Sequence, residues 1–207
     1  PVFCPSAKHN KGVGRLMEFI CSSAPAPDEM PAVKTVGGKE LKCNAADPAC
    51  LRIFKISIEE HLGEIAFFKV YGGEIFEAMD LVNSANSGKE RIPQLLLVAG
   101  KKREKIEKVC AGDIAATIKL KSTRTGDTLN SAKNADDVIV PIAFPAPKIS
   151  MAIKAKNSGD DEKLGARLNE MHKVDQTLLV EYSKELKQVI IKGQGELHLN
   201  IAKWHLE

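Results

Sequence analysis

Three short groups of residues in this chain are suited to binding or electrostatic chemistry. Ser6, Ala7 and Lys8 follow a short apolar run, where a tight turn could offer backbone amide donors to a carbonyl oxygen. A basic cluster at 101–108 has five positive and two negative side chains. A glycine-rich turn at 193–198 ends in a carboxylate and a histidine. Each group points to binding or positioning rather than to bond chemistry.

The basic cluster allows two interpretations. Its cations are Lys101, Lys102, Arg103, Lys105 and Lys108. Such a cluster could contact the phosphates of RNA, but the glutamates between the cations are equally typical of a solvated loop. The whole chain carries a net charge of +3, from 30 basic and 27 acidic residues, which does not by itself indicate a nucleic-acid binder. On the residues alone, the solvated loop is the favoured interpretation, and RNA contact stays the alternative.

The glycine-rich turn comprises Gly193, Gln194 and Gly195, followed by Glu196 and His198. Glu196 is predicted to open a helix, where a carboxylate meets the positive end of the helix dipole. His198 has no second histidine or carboxylate pair at a spacing that would complete a metal site. Helix capping and ordinary packing are therefore the first interpretation of these two side chains.

Enzymatic chemistry is not predicted for the chain as given. It has no GxxxxGK[ST] phosphate-binding loop, and phosphoryl transfer needs a phosphate cradle, a magnesium ion and a positioned water. We therefore expect neither catalysis nor a bound cofactor. The five scattered cysteines are typical of reduced thiols in an intracellular protein, and no apolar run approaches the ~20 residues of a membrane helix.

Four regions must position these groups. Residues 1–27 predict the end of a buried strand at Val2 to Cys4 and a helix capped by Asn10, with an apolar stripe at Val13, Leu16, Met17 and Ile20. That βα unit cannot bury its own faces, so we expect it to be the remnant of a larger domain. Residues 28–50 are poor in large apolar side chains and predict a linker or elaborated loop.

Residues 51–147 predict an all-β barrel or sandwich. Phe54, Ile56 and Ile58 alternate with polar residues, as on one face of a strand. Further strands are predicted at 65–70, 74–76, 94–99, 114–120 and 138–144, with glycines at the turns. Pro145, Ala146 and Pro147 predict a stiff connector.

Residues 148–207 predict the order β-α-β-β-α. A capping box at Ser158 and Asp161 opens the first helix, whose stripe is Leu164, Leu168 and Met171. The last helix has Leu197, Ile201 and Trp204 on one face. A split βαβ domain of the ferredoxin-like type would need one further strand, so we expect this domain to be truncated.

Five segments, in order and at compatible spacing, resemble the elongation factor G family of translational GTPases. Residues 193–199 resemble the family's GxGELHL segment, and 67–71 resemble its FFRVYSG strand. Residues 111–116, 125–129 and 144–149 resemble three further family segments, the last being the FPEP-I junction. The resemblance extends over nearly the whole chain.

The resemblance implies a multidomain fold: a βα remnant of a P-loop GTPase domain (1–27), a linker (28–50), a β-barrel domain II (51–147) and an incomplete ferredoxin-like domain III (148–207). It implies that Ser6, Ala7 and Lys8 are the remnant of a guanine-contacting motif. It makes RNA contact by Lys101, Lys102, Arg103 and Lys105 as plausible as the solvated loop. It suggests an inter-domain relay role for the residues of the turn, namely Gly193, Gln194, Gly195, Glu196 and His198.

For the parent protein, the resemblance implies a GTP hydrolase that uses GTP and Mg²⁺ to drive tRNA and mRNA translocation on the ribosome. Ribosomal RNA and proteins would be direct partners, tRNA and mRNA indirect ones, and the protein would be a cytoplasmic monomer. The rival hypotheses are a paralogue that protects ribosomes from tetracycline or recycles them, and a stand-alone RNA-binding or scaffold barrel. Residues 59–62 and the segment with Cys43 and Cys50 depart from the family pattern, which leaves the step of translation open.

Overall fold

The computed structural model of the chain describes residues 1–59, 63–100, 102–155, 157 and 159–206. An N-terminal helix, a β-rich domain and a small α/β domain follow one another along the chain. None of the described helices is long and apolar enough to cross a membrane.

The N-terminal segment forms one helix, α1 (Val13–Ser23), which ends just before Pro25 because proline cannot donate the next backbone hydrogen bond. Its predicted apolar stripe has little cover: Met17 and Ile20 are about half exposed. The ring of Phe3 lies 4.9 Å from that of Phe19 on the helix. The helix prediction is thus confirmed, while its apolar face stays largely open.

Two details predicted for this segment are wrong. Val2, Phe3 and Cys4 form no strand, and Val2 is 94% exposed, because no described strand lies alongside to pair with them. The helix N-cap is Gly12, in the left-handed conformation with φ 72°. Asn10, also left-handed with φ 49°, instead belongs to the turn that pairs Ser6 with Lys11.

Short strands make up most of the middle of the chain. Before the β-rich domain lie β1 (Val33–Lys34) and β2 (Glu40–Leu41), which pair with each other. The following strands are β3 (Cys50–Glu59), β4 (Gly63–Gly72), β5 (Glu74–Phe76), β6 (Asp80–Asn83), β7 (Gly88–Arg91), β8 (Leu95–Ala99), β9 (Lys102–Ile106), β10 (Lys108–Cys110), β11 (Ile114–Ile118) and β12 (Thr128–Asn130).

One antiparallel sheet in the order β7-β6-β12-β3-β4-β11-β8-β9 curves around the main core, and β5 pairs with β10. Fully buried apolar side chains fill its interior, among them Leu51, Ile53, Phe68, Val70 and Leu129. This arrangement is consistent with the predicted barrel. The packing of these side chains is what holds the turns of the domain in place.

The structure of this domain differs from the pattern predicted from the sequence at three places. A β-bulge at Phe54 breaks the register of β3 against β4, so Ile53 and Ile56 face the core while Phe54 is 42% exposed. Residues 138–144 form only one isolated bridge, between Ile139 and Thr35, because the ribbon beside them is too short to extend it. The basic cluster is no solvated loop either: Lys102 to Ile106 form β9 at an edge of the sheet.

The segment 28–50 packs closely on the β-rich domain. The Asn44 carbonyl accepts a 2.9 Å hydrogen bond from the Gly73 amide, and the Val36 amide donates to Val138 at 2.8 Å. Gly112, with φ 97°, lies so near this segment that an added Cβ would stand 3.2 Å from the Cys43 sulfur. The division between linker and barrel stays a prediction, but the segment is part of the packed structure.

The C-terminal domain has the predicted β-α-β-β-α order. Its elements are β13 (Ile149–Ile153), α2 (Asp161–Val174), β14 (Leu179–Ser183), β15 (Gln188–Gly193) and α3 (Glu196–Leu206). The antiparallel sheet has the order β13-β15-β14, and the two helices pack on it through a separate core that includes Leu168 and Leu199. This is consistent with a ferredoxin-like domain. The Ser158 part of the predicted capping box lies outside the described residues; α2 begins after Asp160.

The face of α3 that carries Leu197, Ile201 and Trp204 is turned outward. Leu197, Ile201 and Trp204 are 74%, 48% and 70% exposed, whereas Leu199 and Ala202 are buried. Both sides of this helix carry apolar residues at helical spacing, so periodicity alone does not decide between them. The turn before the helix decides, because it brings Leu199 against β15.

Candidate functional site

The turn between β15 and α3 is built on a close approach of backbone to side chains. A Cβ added at Gly193 would lie 2.7 Å from the Leu199 side chain and 2.9 Å from His198 Nδ1. A Cβ at Gly195 would meet nothing within 4 Å. Only the first glycine of the pair is therefore required by packing, and it sets the position of His198 and Leu199 on the first turn of α3.

His198 joins this turn to the loop after α2. Its Nδ1 accepts a 3.1 Å hydrogen bond from the Gln194 amide, and its Nε2 lies 2.9 Å from the Asp175 carboxylate. Because Nδ1 faces a backbone donor, Nε2 must carry the proton and donate to Asp175. The tautomer of His198 is thus set by its two neighbours.

Asp175 is held from a second side as well. Its Oδ1 accepts hydrogen bonds from the Thr177 amide at 2.8 Å and the Thr177 hydroxyl at 2.6 Å. Burial acts to raise the pKa of Asp175, but the hydrogen bonds from Thr177 and the neighbouring His198 outweigh it, so the pKa lies below its ordinary value. The carboxylate is therefore a stable acceptor near neutral pH.

Gln194 holds the connection between the two domains. Its side-chain amide donates to the carbonyl of Pro145 at 3.0 Å and to that of Ala146 at 3.3 Å. The Lys148 amide donates to the Gly193 carbonyl at 2.8 Å. The predicted stiff connector is thus hydrogen-bonded to the same turn that positions His198.

The loop after α2 also contacts the β-rich domain. The side-chain amide of Gln176 donates to the Thr125 carbonyl, and the Thr125 hydroxyl donates to the Lys173 carbonyl at 3.3 Å. Lys173 Nζ pairs with Glu64 at 2.5 Å. A continuous set of contacts therefore runs from Thr125 through residues 173–177 to His198 and the connector.

Glu196 stands at the first position of α3 and is exposed. A carboxylate there faces the positive end of the helix dipole, which agrees with the capping role predicted from the sequence. Its predicted relay role stays a prediction.

The basic cluster lies along β9. Arg103 pairs with Glu59, and Lys105 pairs with Glu77 at 2.8 Å. Lys102 is exposed and makes no ion pair within the described ranges. Lys101 lies outside the described residues. Acidic neighbours therefore partly neutralise the predicted RNA-contact cluster, although its cations still lie at the surface.

The predicted guanine-contacting remnant forms a tight turn. The Ser6 amide donates to the Lys11 carbonyl at 2.9 Å, and the Asn10 amide donates to Ala7 at 3.2 Å. The Ser6 amide is thus engaged within the turn, and the guanine-contacting role of Ser6, Ala7 and Lys8 stays a prediction. Across the described part of the chain, no group of three or more His, Cys, Asp or Glu side chains could hold a metal ion.

Sequence reasoning missed the partners of His198. Asp175, Gln176 and Thr177 follow a predicted helix, and an Asp two residues before a Thr is a common turn signal, so the loop itself could have been found. Its contact with Thr125 could not, because the residues are some fifty positions apart and the acceptor is a backbone carbonyl.

Comparison with known proteins matches both domains to the same protein family. Residues 48–132 match the family model "Elongation factor G domain 2", and 144–207 match "Elongation Factor G, domain III". Elongation factor G 2 of Syntrophomonas wolfei is 38% identical over 206 residues, and elongation factor G of Rhodopseudomonas palustris is 40% identical over 205. Each alignment covers 97% of this chain, and the chain spans 30% of each relative's length. A crystal structure of a Thermus thermophilus protein matches 94% of the chain, and the chain covers 27% of it, with a TM-score of 0.74 at 27% identity.

Proposed function

Because the chain belongs to the elongation factor G family, we propose that it serves as the ribosome-docking and relay part of a ribosome-dependent GTPase. In this proposal the β-rich domain docks on ribosomal RNA, and the C-terminal domain passes the nucleotide state on to other domains. GTP hydrolysis by the complete protein, with GTP and Mg²⁺ bound by residues beyond this chain, belongs to the same proposal. So do an indirect action on tRNA and mRNA, a monomeric state and a cytoplasmic location.

The observation that carries the relay part is the contact set centred on His198. One imidazole joins the first turn of α3 to Asp175, and the neighbouring Gln176 reaches the β-rich domain at Thr125. A displacement of α3 would therefore move the loop that contacts the β-rich domain and the connector held by Gln194. Packed elements with discrete hydrogen bonds are the kind of structure that can carry such coupling.

The docking part rests on the exposed cations of β9. Lys102 and Arg103 lie on an edge strand, where extended backbone presents the side chains outward. Phosphate contacts release bound counterions, so binding that depends on them weakens as salt rises.

The docking test is cosedimentation of the chain with purified small ribosomal subunits over a range of salt concentrations. We expect Lys102→Ala with Arg103→Ala to weaken binding most at low salt and to flatten the plot of log affinity against log salt by about 0.7–0.9 per lost phosphate contact. The control is Lys184→Ala with Lys187→Ala, which removes two exposed cations from the turn between β14 and β15. An unchanged slope in the first variant would contradict this docking surface, and no binding by the unmodified chain would contradict docking altogether.

A further inference from the structure

A cleft of about 520 Å³ opens where the β-rich domain meets the end of α2. One wall is the turn at 121–124 with Asp127, another is Asn86 with its neighbour, and Lys173 closes the side of the C-terminal domain. Three of the lining side chains are cations, Lys121, Arg124 and Lys173, against the single carboxylate of Asp127. The cleft lies away from β9 in sequence, and it shares Lys173 with the contact set described above.

The turn that forms the main wall is held rigidly from beneath by Glu90. This carboxylate is 1% exposed and accepts hydrogen bonds from the Lys121 amide at 3.0 Å, the Ser122 amide at 2.8 Å and the Thr123 hydroxyl at 2.9 Å. The Ser122 hydroxyl donates to it as well, at 3.1 Å. A turn fixed in this way presents its outward side chains without further loss of backbone freedom when a ligand binds.

The nearby carboxylates are already engaged. Asp127 Oδ2 accepts hydrogen bonds from the Arg124 amide and the Asn83 side chain, both at 2.8 Å. Glu64 neutralises Lys173, and Glu90 is turned inward to the donors of the turn. By contrast, Lys121 and Arg124 are exposed and form no ion pair in the part of the chain that the structure describes. With Lys173 paired to Glu64, the cations Lys121 and Arg124 outnumber by one the carboxylate of Asp127 that lines the cleft.

We propose that this cleft is a binding site for a phosphate group, held by Lys121 and Arg124 with Lys173 at its far side. Arginine binds phosphate through its planar fork of donors and lysine binds it as a point charge. In the complete system the phosphate belongs to an RNA backbone, and this assignment rests on the proposed docking function. The cleft would then be a second RNA contact. It is lined by residues of both domains, whereas β9 belongs to the β-rich domain alone.

The test uses the 207-residue chain labelled with ¹⁵N and titrated separately with sodium pyrophosphate and with a short RNA hairpin. We expect both probes to shift the amide signals of Ser122 and Thr123. Lys121→Gln with Arg124→Gln should weaken binding of the hairpin at low salt on the order of tenfold and reduce the salt slope. The control variant Lys184→Gln with Lys187→Gln removes the same amount of charge from the turn between β14 and β15. It should change neither the affinity for the hairpin nor the salt slope.

Shifts with both probes, lost only in the cleft variant, support the site with RNA as its source of phosphate. Shifts with pyrophosphate alone support the site and assign it to a free anion. The proposed site is overturned if neither probe shifts the amide signals of Ser122 and Thr123. It is also overturned if binding of the hairpin weakens equally in the cleft variant and the control variant. A chain that binds small ribosomal subunits with full affinity after Lys121→Gln and Arg124→Gln overturns the RNA contact here while leaving the docking proposal intact, so the two failures are distinguishable.

Discussion

Glu90 shows how one buried carboxylate can organise a surface turn. Its side chain lies on β7, faces inward and accepts hydrogen bonds from three consecutive residues of a turn some thirty positions later in the chain. Burial of the carboxyl group acts to raise the pKa of Glu90, but the hydrogen bonds from Lys121, Ser122 and Thr123 outweigh it, and the pKa lies below its ordinary value of 4.5. The charge of Glu90 and the shape of the turn therefore depend on each other.

We expect Glu90→Gln to destabilise the protein by about 1–3 kcal/mol at pH 7, because the amide has only one acceptor oxygen and places its own NH₂ group against donors. The folded-state pKa is depressed, so the stabilisation from Glu90 is present above pH 4.5 and is lost as the pH falls through the folded-state value. The difference in the free energy of unfolding between the unmodified protein and the Glu90→Gln variant should accordingly become smaller below pH 4.5. Urea unfolding at pH 7 and at pH 4 measures it.

The matched control is Glu104→Gln on the exposed strand β9, where we expect a change within about 0.5 kcal/mol. A Glu90→Gln protein as stable as this control at pH 7 would refute the role of the carboxylate in holding the turn.

At the scale of elements, α3 is positioned by one glycine. Gly193 ends β15, and its missing side chain leaves room for Leu199 and His198. We expect Gly193→Ala to lower the stability of the C-terminal domain by about 1–3 kcal/mol, because the extra methyl group overpacks a site that has no free space. Gly195→Ala, two residues away, meets nothing within 4 Å and should be neutral or slightly stabilising, since alanine restricts the unfolded chain.

Thermal unfolding followed by the near-ultraviolet signal of Trp204 compares these two variants directly. Equal melting temperatures for Gly193→Ala and Gly195→Ala would mean that Leu199 and His198 can shift without cost, contrary to the packing seen here.

Helices α2 and α3 and strand β3 show how well hydrophobic periodicity predicts which face of an element is buried. The stripe Leu164, Leu168 and Met171 of α2 was predicted and packs on the C-terminal core, because this helix has only one apolar side. Helix α3 has apolar residues on two sides, and the side that carries Leu197, Ile201 and Trp204 is the one that the structure leaves exposed. In β3 a bulge at Phe54 interrupts the alternation, so that Ile53 and Ile56 are both buried while Phe54 is exposed. Bulges and double-sided helices are decided by neighbouring elements, which a local pattern does not contain.

At the scale of the whole molecule, the β-rich middle of the chain and the β-α-β-β-α order after it could be predicted from the sequence, whereas the contacts that join the two domains could not. The contacts of Gln176 with Thr125 and of Gln194 with Pro145 end on backbone carbonyls, and any residue supplies a carbonyl. The pair of Lys173 with Glu64 joins residues more than a hundred positions apart. The family segment at 125–129 includes Thr125, but the residues 173–177 that contact the β-rich domain lie in none of the five family segments.

This contact predicts a selective form of uncoupling. Lys173→Met with Gln176→Ala removes the ion pair with Glu64 and the hydrogen bond to Thr125 without touching either hydrophobic core. We expect amide hydrogen exchange in β15 to become faster by a factor corresponding to about 1–2 kcal/mol, while exchange in β4 stays unchanged, because the larger core of the β-rich domain does not depend on its neighbour. Lys163→Met with Gln188→Ala changes the same residue types at exposed positions of the C-terminal domain and should leave both strands as they are. Faster exchange in β4 and β15 alike would mean that the two domains unfold as one unit, and no change in either would mean that the contact contributes nothing to their coupling.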